Sequence, residues 1–101
     1  MTETFERRRL EVLVDAPLVK AVIAAARDVG ICSYTLLPTL GGAGAGGSWS
    51  DDQVTGAQAK VIFLTVAAEP LSQAFIDKLS PILDSHSLVL FSSSVSVVRS
   101  G

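Results

Sequence analysis

Polar and apolar residues alternate near the start of the chain. Across residues 8–14, Leu10, Val12 and Val14 fall on one side of an extended backbone, and Arg9, Glu11 and Leu13 on the other. A period of two marks a β-strand. Asp15 and Pro17 follow. A side-chain acceptor at a cap position, with proline just inside, predicts a helix start. Leu18, Val22, Ala25 and Val29 then recur at helical spacing, with Lys20, Arg27 and Asp28 off that stripe. Gly30 supplies the stop. Residues 31–37 are β-branched and aromatic enough for a second strand, and residues 59–67 read as a third. Glu69 and Pro70 open a second helix, with Leu71, Phe75, Leu79 and Leu83 along one face. Pro81 either kinks that helix or begins a new turn after Ser80. Asp84-Ser85-His86-Ser87 is a polar turn, and residues 88–98 form the last strand.

The order β-α-β-loop-β-α-β predicts an α+β fold. It is the ferredoxin-like βαββαβ arrangement, an antiparallel four-stranded sheet with two helices on one face. Two helices cover only one side of such a sheet. Yet the third strand carries Val61, Phe63 and Ala67 on one face and Ile62, Leu64 and Val66 on the other, and the last strand is partly apolar on both. A solvated sheet face alternates to polar residues. The second face is therefore expected to be buried by other copies of the chain.

The length of 101 residues suits a single domain, and 49% hydrophobic content excludes disorder for its body. No apolar run approaches the roughly 20 residues of a membrane span. The basic N-terminal stretch is not followed by the apolar core of a secretory signal. Cys32 is the only cysteine, which precludes an internal disulfide and fits a reducing cytoplasm. Net charge is −2, so an overall basic footprint for nucleic acid is absent. Sheet-face RNA binding also needs exposed aromatic and basic residues on the central strands, and those are sparse.

Six of the eight glycines lie between Gly41 and Gly56. The segment, about 38–58, reads as a long mobile loop on a rigid scaffold. Backbone amides of residues 41–47 suit an anion, but no Gly-Lys-Ser/Thr follows to make a P-loop. Trp49 reads as a partner or ligand contact, or as packing onto a neighbouring subunit. Asp51 and Asp52 lack a third ligand nearby and read as solvated. Arg7-Arg8-Arg9, flanked by Glu3, Glu6 and Glu11, read as a solvated strand start, with an anion or subunit contact as the alternative. Ser92, Ser93, Ser94 and Ser96 are small hydroxyls that allow close packing. No nucleophile elbow surrounds them, and with one histidine, His86, and one cysteine the chain is not expected to be an enzyme.

Taken together, these pieces resemble the PII signalling superfamily, especially its small PII-like members. Gly30-Ile-Cys-Ser-Tyr-Thr35 resembles that family's Gly-x-x-x-x-Thr stretch entering the second strand, and the glycine-rich segment stands where the family carries its T-loop. The ending Val98-Arg99-Ser100-Gly101 is similar to the Arg-Thr-Gly ending of the nitrogen regulators. The resemblance implies a single PII-like domain over residues 1–101 and a homotrimer whose sheets face a central axis. It implies an adenine nucleotide (ATP, ADP or AMP) as effector in clefts between subunits. Thr35, Gly41 and Gly42 would border that cleft, with Arg99 as phosphate partner. The loop would contact a target protein, such as a membrane transporter for inorganic carbon, through Gly44, Gly46, Gly47, Trp49, Asp51 and Asp52. The chain departs from the nitrogen regulators in two places. Residues 82–87 lack the glycine and lysine of their second phosphate loop, and the T-loop lacks their lysine, arginine and modifiable tyrosine. A PII-like relative with a different ligand therefore fits better than a sensor of ATP and 2-oxoglutarate. CutA-type cation-tolerance proteins share the architecture, so a metal-binding trimer using His86, Cys32 or the aspartates is the rival expectation.

Overall fold

In this computed structural model, which describes residues 2–44, 47–50, 59–86 and 88–100, nine elements follow one another. They are β1 (Thr2–Asp15), a 3-10 turn (Ala16–Leu18), α1 (Val19–Asp28), β2 (Thr35–Pro38), β3 (Gly41–Gly44), β4 (Gly47–Ser50), β5 (Lys60–Ala67), α2 (Glu69–His86) and β6 (Val89–Ser100). Four strands form one sheet in the order β2-β5-β1-β6, antiparallel at every pairing, and β3 pairs with β4 in a separate hairpin. This is the ferredoxin-like α+β fold expected from the hydrophobic pattern.

β1 is the spine of the sheet and is longer at its start than the alternating stretch indicates. Residues 2–7 pair with β6 alone, residues 8–13 with β6 on one side and β5 on the other, and residues 14–15 with β5 alone. At its far end, Asp15 sits at the N-cap position in extended conformation but makes no cap hydrogen bond. Its carboxylate instead accepts from Lys60 Nζ at 2.6 Å, across the sheet on β5. A fixed cation directly opposite outcompetes a cap donor for a single carboxylate. The helical segment accordingly opens as a 3-10 turn.

β2 begins later than expected, because residues 31–34 close the end of α1. Ile31 N–H donates to Ala26 O at 2.9 Å, and its side chain is buried. Thr65, buried on β5, donates through Oγ1 to Ser33 O at 2.6 Å and fixes that connection to the sheet. On α2 the buried stripe is Ser72, Phe75 and Leu79, while Leu71 is 37% exposed. Ser72 tolerates burial because its hydroxyl donates to Ala68 O at 3.0 Å. α2 continues through Pro81 without ending there.

The core lies between the helices and one sheet face. Leu10, Val12 and Val14 of β1 and Phe63 of β5 meet Val22, Ala26, Phe75 and Leu79 of the helices, all with no exposed surface. Phe63 stands at its centre, 5.6 Å from the Phe75 ring and 5.1 Å from the Tyr34 ring, centroid to centroid. Among the described residues, no helix packs on the other sheet face. Register places Leu37, Ile62, Leu64, Val66, Leu13, Val89 and Phe91 there. Val66 is 41%, Val89 44% and Phe91 60% exposed.

Candidate functional site

The glycine-rich segment is not a structureless loop where it is described. Gly41–Gly44 and Gly47–Ser50 pair as an antiparallel hairpin, with Gly42 opposite Trp49. Glycine strands have little intrinsic reason to pair, since they lose much backbone entropy and offer no side chains. Trp49 supplies the missing contact. Its ring lies against Gly42, where a Cβ would come within 2.4 Å of the ring. Gly41, at φ +152, takes a backbone conformation that other residues rarely adopt, and a Cβ there would meet Trp49 O at 2.6 Å. Close approach to Trp49 is thus a packing reason for both glycines.

The base of the hairpin is tied to the sheet by a short chain of polar contacts. Trp49 Nε1 donates to Thr39 Oγ1 at 2.9 Å, and Thr39 Oγ1 donates to Lys60 O at 2.7 Å. Lys60 Nζ lies 5.2 Å from the Trp49 ring centroid while bonding Asp15. Trp49 is half-buried within its own chain, where composition alone suggested an outward contact. Sequence reasoning missed the Thr39–Lys60–Asp15 chain, because its members are far apart along the chain and only the sheet register unites them.

The other described site residues lie apart from one another, on the sheet and at the end of the hairpin. Thr35 opens β2 opposite Leu64, on the open face. Gly44 pairs with Gly47 at the outer end of the hairpin. Gly46, Asp51 and Asp52 lie outside the described residues. Arg99 is near the end of β6, opposite Glu3, with its guanidinium 5.4 Å from the Phe5 ring centroid. Through β1, Arg99 is level with Glu3, whereas Pro38, just before the hairpin, is level with Val14. That separation along β1 is roughly 35 Å at the usual rise per strand residue. A single chain therefore does not bring Arg99 to Gly41 and Gly42.

The serines of β6 do more than allow close packing. Arg8 donates to Ser94 Oγ at 2.7 Å and Ser92 Oγ at 2.6 Å, and Ser96 donates to Glu6 Oε1 at 2.8 Å. Arg9 pairs with Glu11 at 2.7 Å on the open face. Among the described residues, no three His, Cys, Asp or Glu side chains gather in a way that would hold a metal ion. No helix among them is long and apolar enough to cross a membrane.

The family model for nitrogen regulatory protein P-II matches residues 7–101. No curated protein matches the sequence. Among solved structures, CPII, a nitrogen regulatory PII-like protein from Thiomonas intermedia, bound to ADP, AMP and bicarbonate, superposes with a TM-score of 0.87 at 19% identity, covering 96% of this chain and 92% of that one. The same protein bound to ADP and bicarbonate gives 0.84 at 20% identity, covering 96% and 93%. Its apo form gives 0.80 at 18% identity, covering 99% and 100%. At these identities the likeness of the structures is one of fold.

Proposed function

This chain belongs to the nitrogen regulatory protein P-II family, and we propose that it is a cytoplasmic PII-like regulator that binds an adenine nucleotide in clefts between the subunits of a homotrimer. Residues 1–101 act as one PII-like domain. Its role is regulatory rather than catalytic. The segment at about 38–58 works as the T-loop and controls a target protein by changing shape when the effector binds. The observation that carries this reading is the open sheet face. Leu13, Ile62, Leu64, Val66, Val89 and Phe91 form an apolar surface that neither described helix covers. Packing copies on that face removes it from water. It also supplies what one chain lacks, a second subunit whose Arg99 meets the glycine hairpin.

In this reading Thr35, Gly41 and Gly42 border the cleft, and Arg99 reaches the phosphates. Gly44, Gly46, Gly47, Trp49, Asp51 and Asp52 form the target-binding part. Adenine nucleotides are favoured as effectors because CPII binds ADP and AMP. Its bicarbonate makes an inorganic-carbon transporter the favoured kind of target. The test is calorimetric titration with ATP, ADP, AMP and cyclic AMP, with and without bicarbonate, on wild type and Arg99→Ala. Saturable binding at about micromolar Kd, weakened tenfold or more by the substitution, is expected. No binding by any nucleotide overturns the effector assignment.

A further inference from the structure

We propose that Arg7 and Arg99, held together at the ring of Phe5, form a two-armed clamp for the phosphate tail of a nucleoside di- or triphosphate. The inference rests on the nucleotide reading above and adds a residue that it lacks. Three arginines stand in a row at positions 7–9, and the strand turns them to alternate faces. Two of them are compensated. Arg8 donates to Ser92 and Ser94 and lies 3.8 Å from a Glu69 oxygen. Arg9 is paired with Glu11.

Arg7 is different. Among the described residues, its guanidinium makes one hydrogen bond, from Nη1 to the backbone oxygen of Glu6 at 2.8 Å. Its guanidinium carbon lies 5.4 Å from the Phe5 ring centroid, and that of Arg99 lies at the same distance from the same ring. The register explains the meeting. Phe5 opposes Val97, with Arg7–Val95 on one side of that pair and Glu3–Arg99 on the other, so Phe5, Arg7 and Arg99 share the open face. Among the described residues, neither guanidinium has a carboxylate within 4.0 Å. Glu3, directly opposite Arg99, makes no ion pair with it.

Two uncompensated cations on one aromatic ring leave ten donors for an anion, less the one that Arg7 spends on Glu6. The ring attracts both cations and restricts their swing, which lowers the entropy lost on gripping a ligand. Sharing one centroid, the two guanidinium carbons are at most about 11 Å apart. Each arm takes one phosphate by parallel N–H···O bonds. Standing on opposite sides of the Phe5–Val97 pair, the two arms suit neighbouring phosphates of one chain, whereas a monophosphate engages only one of them. Arg7 therefore sets a preference for di- and triphosphates over monophosphates.

Wild type, Arg7→Ala, Arg7→Gln and Arg7→Lys are titrated with ADP, AMP and inorganic tripolyphosphate. Thermal unfolding and sedimentation check that each variant is folded and assembled like wild type. Arg7→Ala and Arg7→Gln are expected to weaken ADP about tenfold and AMP less than about threefold, with Arg7→Lys between, because it keeps the charge and loses the fork. ADP bound by Arg7→Ala and Arg7→Gln as tightly as by wild type overturns the clamp and leaves the nucleotide reading standing. An equal loss for AMP and ADP overturns it too, as a mere effect of net charge. Arg7-dependent binding of tripolyphosphate without binding of either nucleotide keeps the clamp and removes the nucleotide reading. If none of the three ligands binds wild type, both fall.

Discussion

Gly42 has no side chain because Trp49 occupies the space of one. A Cβ at position 42 would stand 2.4 Å from the Trp49 ring, so Gly42→Ala forces the ring off the hairpin. Trp49 is the only tryptophan. Its emission is therefore expected to shift to longer wavelength in Gly42→Ala as the indole enters water. Emission unchanged from wild type would contradict the packing described for Trp49. At this scale the sequence marks which residues are unusual and misses what they touch. The glycines and Trp49 stand out in composition, but their contact depends on strand pairing between residues 42 and 49. Asp15 has the chemistry of a cap and serves as the partner of Lys60 instead. Arg8 lies more than 80 residues from Ser92 and Ser94 and meets them only through the β1–β6 register.

Periodicity locates most elements and misplaces their ends. The interior of β1, the helices and β5 follow from local alternation and helical spacing. The first residues of β1 do not, because Glu3, Glu6 and Arg7 look solvated until β6 pairs with them. Ser72 replaces Leu71 on the buried face of α2, since a hydroxyl that bonds its own helix backbone is tolerated in the core. The hairpin of β3 and β4 is the element least legible from residue types, being held by one aromatic ring rather than by strand propensity. Trp49 and Thr39 tie it to the sheet. Deleting residues 43–52 is expected to leave a cooperative thermal transition and an unchanged assembly mass, at a cost of about 1 kcal/mol for the lost Trp49–Thr39 hydrogen bond. A deletion variant that fails to fold would make the segment structural and would contradict its role as a T-loop.

For the whole molecule, the ferredoxin-like layering is readable in the order of the elements, and the apolar second sheet face in strands β5 and β6 that carry apolar residues on both sides. The face is expected to be the assembly surface. Phe91, 60% exposed in the single chain, would be covered there. Phe91→Glu places a charge on that surface, and burying an unpaired charge is costly. The variant is expected to remain folded and to sediment as a single chain, because Phe91 lies outside the core cluster. A mass equal to the wild-type assembly would contradict this use of the face.

Subunit mixing tests the central claim, that the nucleotide cleft is completed by two copies, most directly. Chains carrying Arg99→Ala are co-refolded in equal amounts with chains carrying Gly42→Val, and ADP binding per chain is measured by calorimetry. Each variant alone is expected to bind poorly. The mixture is expected to regain about a quarter of the wild-type sites, the fraction of interfaces that join an intact Arg99 to an intact hairpin. A mixture that binds no better than its separate components would contradict a cleft shared between subunits.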